Sequence, residues 1–135
     1  MQFIRKAGED MQCEHFTNGK AIIQRNTTPT LKVTVFFDVA LVKEIEFVFT
    51  KTYSEHAEIL VHKKYTKDTM QLLSTESTES FVIAIDFSVE ETMKLPPETV
   101  YMGTRITDIN GKIPRADTVE IDVQKNLFSG VYPID

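Results

Sequence analysis

The side chains able to do chemistry are few and scattered along this chain. Three histidines, His15, His56 and His62, form no HxH or HExxH pattern, and no cysteine or carboxylate stands near them at a zinc-type spacing. His62 falls on the outward parity of a strand-like segment, where an exposed imidazole is expected. The single cysteine, Cys13, has His15 two residues away. A reactive thiolate needs a base and an electropositive setting held in register, which a short loose stretch does not provide, so Cys13 reads as a spare thiol. Asp108-Ile109-Asn110-Gly111 resembles the first fragment of a calcium loop. The acidic residue that would complete such a loop is missing downstream, and a hairpin turn accounts for the same residues. No GxSxG elbow, GxxxxGK[ST] loop or Rossmann glycine fingerprint is present.

Paired acids such as Glu44/Glu46 and Glu90/Glu91 sit where solvent or a helix start accounts for them. They would serve glycosidic chemistry only by converging across a cleft. We therefore assign no catalytic, cofactor-binding or metal-binding residue, and the reading is of a protein that is not an enzyme. Phe36, Tyr53, Tyr65 and Tyr101 are candidates for an aromatic face that stacks on sugars. The competing expectation, favoured by the absence of Trp, is that they bury against a second sheet or a neighbouring subunit.

The elements that would position these residues are strands. The chain has 135 residues, a single-domain length, with 41% hydrophobic and 26% charged residues, an ordinary balance for a globular protein that folds without staples. Its net charge is −5, with no basic cluster longer than Lys63-Lys64, which disfavours a nucleic-acid or anionic-membrane partner. No run of about 18 apolar residues predicts a membrane-spanning helix. Residues 1–19 lack sustained periodicity and read as a leader, partly disordered or docking on something else, with Met11 as an alternative start. Residues 20–128 read as one β domain, and 129–135 as a tail.

Within that domain "AIIQR" is a short strand closed by the polar Asn26-Thr27-Thr28-Pro29. In "TLKVTVFF", Leu31, Val33, Val35 and Phe37 share one face, the period-2 alternation of a half-buried strand. A corner at Asp38 leads into "KEIEFVFTK", with Ile45, Phe47 and Phe49 inward. "EILVHKKY" places Ile59 and Val61 on one side and His62 and Lys64 on the other. A weaker strand spans Met70 to Leu73. "SFVIAIDF" sets Phe81, Ile83, Ile85 and Phe87 on one apolar face. A single helical signal follows: Ser88 and Glu91 have capping-box spacing, Val89 and Met93 can share a side, and Pro96-Pro97 stop the turn. Then "TVYMGTRITD" and "DTVEIDVQK" flank an Asn110-Gly111 hairpin in which both central residues are expected at positive φ. No βαβ rhythm is present, so a parallel sheet is not expected. The prediction is an all-β, antiparallel, immunoglobulin-like β-sandwich of about seven strands with one short crossover helix, a small barrel being the alternative.

The order of these elements resembles a small virion-associated protein type of phages and prophages of Gram-positive bacteria. "IIQRNTTPTLKVTVFF" resembles their opening strand, Thr-Thr-Pro and long alternating strand. "VKEIEFVFTK" is similar to their second core strand, and "FSVEETMKL" to their S/T-x-E-E/D-T-x-x-L/F element. "VYMGTRITDINGKIPRADTVEIDVQKNL" resembles their final hairpin. The likeness covers about residues 21 to 128, with Asn26 where Gly is more usual and a longer leader. It is similar in kind to the N-terminal β-sandwich of upper baseplate proteins. It implies a tail or baseplate component, made in the bacterial cytoplasm and resident in the virion. Its partners would be other virion proteins and copies of itself, with edge strands and exposed Phe36 and Val48 as pairing surfaces, and it would use no cofactor. A carbohydrate- or host-surface-binding module, with a host glycan as partner, is the alternative.

Overall fold

Apolar residues that alternate along the strand segments end on a shared interior, and this alternation sets the architecture. The computed structural model describes residues 11–13 (backbone only), 21–74 and 79–128. Nine strands are present among them: β1 (Met11–Cys13), β2 (Ala21–Gln24), β3 (Thr30–Val35), β4 (Val42–Thr50), β5 (Ile59–Thr66), β6 (Gln71–Ser74), β7 (Phe81–Asp86), β8 (Thr99–Asp108) and β9 (Arg115–Gln124). They form an immunoglobulin-like sandwich of a four-stranded sheet in the order β1-β3-β7-β6 and a five-stranded sheet in the order β2-β9-β8-β4-β5. Leu31 and Val33 of β3 and Ile83 and Ile85 of β7 face Ile45 and Phe47 of β4 and Met102 of β8, all fully buried. Phe49 and Phe87 meet edge-to-face with centroids 5.3 Å apart. No helix among the described residues is long and apolar enough to cross a membrane.

The strand total exceeds the expected seven partly because Met11–Cys13, inside the presumed leader, runs antiparallel to β3. The rest of that leader, His15 included, and the 129–135 tail lie outside the described residues. Neither sheet is a parallel one, but a single edge pair departs from the antiparallel pattern: β2 runs parallel to β9, with Ile23 opposite Val123. These two strands come from opposite ends of the domain, so no tight turn dictates their relative direction.

The polar Asn26-Thr27-Thr28-Pro29 segment carries the chain from one sheet to the other, since β2 and β3 belong to different layers. Asn26 has φ +60°, a left-handed conformation that Asn tolerates better than most residues and that Gly adopts freely. The turn is clasped by the helix α1 (Val89–Met93), which crosses between β7 and β8. Buried Thr92 accepts from the Asn26 N–H at 3.0 Å and lies within hydrogen-bond reach of the Val89 and Thr27 carbonyls. Arg25 donates to the Met93 carbonyl, and Asn126 donates to the Arg25 carbonyl. The capping box is formed: the Glu91 N–H donates to Ser88 Oγ and the Ser88 N–H donates to Glu91 Oε1. The inward side chain of this helix is Thr92, whereas Val89 is exposed. Val89 and Met93 do not fill the inward position of this five-residue helix, which the Thr92 clasp occupies.

Two local expectations also change. At the β8–β9 turn only Gly111 has positive φ, at +78°. The Gly111 N–H donates to the Asp108 carbonyl, and the Asp108 N–H to the Lys112 carbonyl, which is a type I turn closed by a glycine bulge. The Asp108 carboxylate accepts from the Asn110 and Lys112 amides. In β5, Ile59 does not join Val61 on the inner face. A bulge leaves Thr50 opposite Ile59 and Phe49 opposite Val61, so Ile59 goes outward.

Thr104 and Asp117 face each other across β8 and β9, and Thr104 Oγ1 and Asp117 Oδ2 are buried with no hydrogen-bond partner among the described residues. A buried hydroxyl without a partner is a cost that the similarly shaped valine removes. Thr104→Val should therefore raise stability by about 1 kcal/mol, a melting-temperature gain of roughly 4 °C in a thermal scan.

Candidate functional site

The outer face of the five-stranded sheet carries the cluster of polar and aromatic side chains best suited to recognition. Strand register builds it row by row. Ile59, Thr50, Tyr101 and Glu120 lie across one row; His62, Val48, Gly103 and Thr118 across the next; Lys64, Glu46, Arg105 and Ala116 across the third. The middle row is low, because Gly103 puts no side chain at its centre. A Cβ there would come within 3.1 Å of Val48 Cγ2, so the glycine belongs to the shape of the floor. The result is a trough of about 910 Å³, lined by residues of all three rows together with Tyr53.

One side of the trough is aromatic. Tyr53, in the loop after β4, stacks on Tyr101 with centroids 5.7 Å apart and planes 25° from parallel. Tyr53 remains 79% exposed, so its outer ring face is open to solvent. The other side is an ion-pair group. Arg105 donates to Glu46 Oε1 through both Nε and Nη2, and His62 Nε2 lies 2.9 Å from Glu46 Oε2. Hydrogen bonds from Arg105, then from His62, hold the Glu46 carboxyl below the usual carboxylate range. Glu46 is therefore a fixed anion at neutral pH and offers acceptor oxygens without a proton to give. Among the described residues no group of three or more His, Cys, Asp or Glu side chains could hold a metal ion.

Of the four aromatic candidates, the structure brings Tyr53 and Tyr101 together and separates the other two. Tyr65 packs edge-on against Phe47 with centroids 6.2 Å apart, and burial pushes its phenol pKa up. Phe36 is half-buried against the core. Of the paired acids, Glu44 meets Lys64, and Glu91 meets Lys63 at 2.7 Å. His56 is exposed in a loop. Sequence reasoning missed the Glu46–Arg105–His62 group, whose members lie 16 and 59 residues apart. Their shared outward parity was the available signal, but parity cannot say which outward residues are neighbours.

Two carboxyls give the fold an acid sensitivity. Burial pushes the Glu91 carboxyl up, but the Lys63 ammonium and the Ser88 donors outweigh it, leaving Glu91, like Glu46, below the ordinary value of 4.5. A group with a depressed folded pKa binds fewer protons in the folded state. Its stabilisation is complete above the unfolded pKa and is lost as pH falls through the folded one. The stabilisation from these two carboxyls should be complete above about pH 5 and lost progressively below it, and Glu46→Gln should make the acid limb of the melting temperature shallower.

No protein-family model matches the sequence, and no curated protein matches it. Among solved structures, the chain is similar to the fibronectin(III)-like modules of Clostridium thermocellum CbhA, with 11% identity and a TM-score of 0.42, over 85% of this chain and 96% of that one. It is also similar to Spo0M, the sporulation control protein of Bacillus subtilis, with 13% identity and a TM-score of 0.43, over 85% of this chain and 48% of that one. The chain thus spans about half the length of Spo0M.

Proposed function

We propose that this protein is a non-enzymatic structural component of a phage or prophage particle, in its tail or baseplate, working through protein–protein assembly contacts. The sequence resemblance over residues 21 to 128 suggests the reading. The observation that carries it is where large apolar side chains remain exposed. Leu72 and Leu73 lie on β6, an edge strand of the four-stranded sheet. Leu41, Ile109 and Ile113 are exposed at one end of the sandwich, where the Ile109 N–H donates to the Leu41 carbonyl. Exposed apolar groups along an edge and an end are a liability on a lone module and useful in a symmetric assembly.

Of the pairing surfaces expected from sequence alone, β2 is an edge strand, at the end of the five-stranded sheet. Ala21, Ile22 and Ile23 of β2 are buried, and Phe36 and Val48 are half-buried, so these residues are largely covered within the chain. The exposed apolar residues at the β6 edge and the sandwich end add to the surfaces offered to other virion proteins or further copies of this chain in this reading.

Light scattering coupled to size-exclusion chromatography, at two concentrations about tenfold apart, tests the self-association part of this reading. A discrete, concentration-stable oligomer that Leu72→Lys or Ile109→Lys dissociates is the expected result. A monomer at both concentrations would count against self-assembly.

A further inference from the structure

We propose that the trough on the outer face of the five-stranded sheet is a binding site for a neutral oligosaccharide, with the Tyr53–Tyr101 stack as its platform and the Glu46–Arg105 pair as its hydroxyl reader. This goes beyond the assembly reading and does not rest on it.

Four features of the trough select this ligand class. The exposed ring face of Tyr53 is an apolar, planar surface on one side of the trough, which suits the C–H face of a pyranose. Next, the Glu46 carboxylate and the Arg105 guanidinium lie hydrogen-bonded side by side. They present acceptor oxygens and N–H donors a few ångströms apart. Neighbouring ring hydroxyls, each both donor and acceptor, match such a pair, and charge-assisted bonds of this type are among the stronger ones. Third, the volume of about 910 Å³ lies in the range of formed ligand sites, and the low row at Gly103 leaves a continuous path from the ring stack to the ion pair. Fourth, the lining carries Glu46 and Glu120 against Arg105, which disfavours phosphates and other anions.

An extended peptide fits less well. Beneath the trough β4, β8 and β9 are each paired on both sides, so their backbone groups are engaged and cannot add a strand. A purely apolar ligand would leave the Glu46–Arg105–His62 group covered without new partners.

The full chain titrated by calorimetry with cellohexaose, chitohexaose, mannohexaose and a rhamnose-rich wall polysaccharide tests the site, with inorganic phosphate and an extended peptide as competing probes. Saturable binding to a saccharide is expected. Tyr53→Ala and Arg105→Met should each weaken it by about tenfold, Tyr53→Ala without changing the melting temperature, because its ring is largely exposed. Tyrosine emission should change on binding in the parent chain and change less in Tyr53→Ala. Three results would overturn the proposal: no saturable heat with any saccharide, saccharide binding that both variants retain in full, or binding of the peptide or phosphate in preference to every saccharide.

Discussion

Ile83→Asp should abolish the cooperative melting transition. Ile83 is fully buried at the centre of β7, with Val33 of β3 on one side and Leu72 of β6 on the other. Removing the isoleucine forfeits roughly 1.5–3 kcal/mol of apolar burial. The incoming carboxylate must then be desolvated or protonated with no partner nearby, adding several kcal/mol more. Together these approach the entire stability of about 5–15 kcal/mol expected for a domain of this size. Ile83→Val, which keeps shape and polarity, should cost only about 1 kcal/mol and retain a sharp transition. Near-ultraviolet circular dichroism across a thermal scan distinguishes the two. If Ile83→Asp melted cooperatively within a few degrees of the parent, the inward assignment of β7 would be wrong.

Thr92→Val should destabilise the fold by about 2 kcal/mol, a melting-temperature drop of roughly 8 °C. The substitution keeps volume and branching, so the loss isolates the hydroxyl. That hydroxyl accepts from the Asn26 N–H at 3.0 Å and has the Val89 carbonyl at 2.9 Å, joining the crossing turn to the crossover helix. Without it the Asn26 amide loses its partner while the left-handed turn must still be held. The same threonine-to-valine change at Thr104 should act in the opposite direction, because Thr104 Oγ1 has no partner to lose. Equal effects at the two sites would mean that the clasp contributes little to stability.

These two substitutions show how unevenly the structure can be read from the chain. At Ile83 the outcome follows from alternation alone, since period-2 spacing in "SFVIAIDF" places Phe81, Ile83 and Ile85 inward, and all three are buried. Thr92 and Thr104 look alike in sequence. Both are buried β-branched residues, and only the neighbours supplied by distant segments make one a clasp and the other an uncompensated hydroxyl. Ile59 marks the limit of parity itself, because one bulge at Phe49/Thr50 sends it to the opposite face.

The all-β class, the inward faces of β3, β4 and β7, the Ser88–Glu91 capping box and the position of the β8–β9 hairpin are all legible in the chain. Each of these depends on contacts within a few residues or on a fixed period, which local chemistry dictates. Long-range packing was needed to pair β2 parallel with β9, to set the Thr92 clasp on the Asn26 turn, and to bring Glu46, His62 and Arg105 together beside Tyr53 and Tyr101. These arrangements depend on strand order and register across the sheet. Many pairings satisfy the same alternation of apolar and polar residues, and simultaneous packing of both layers selects one of them.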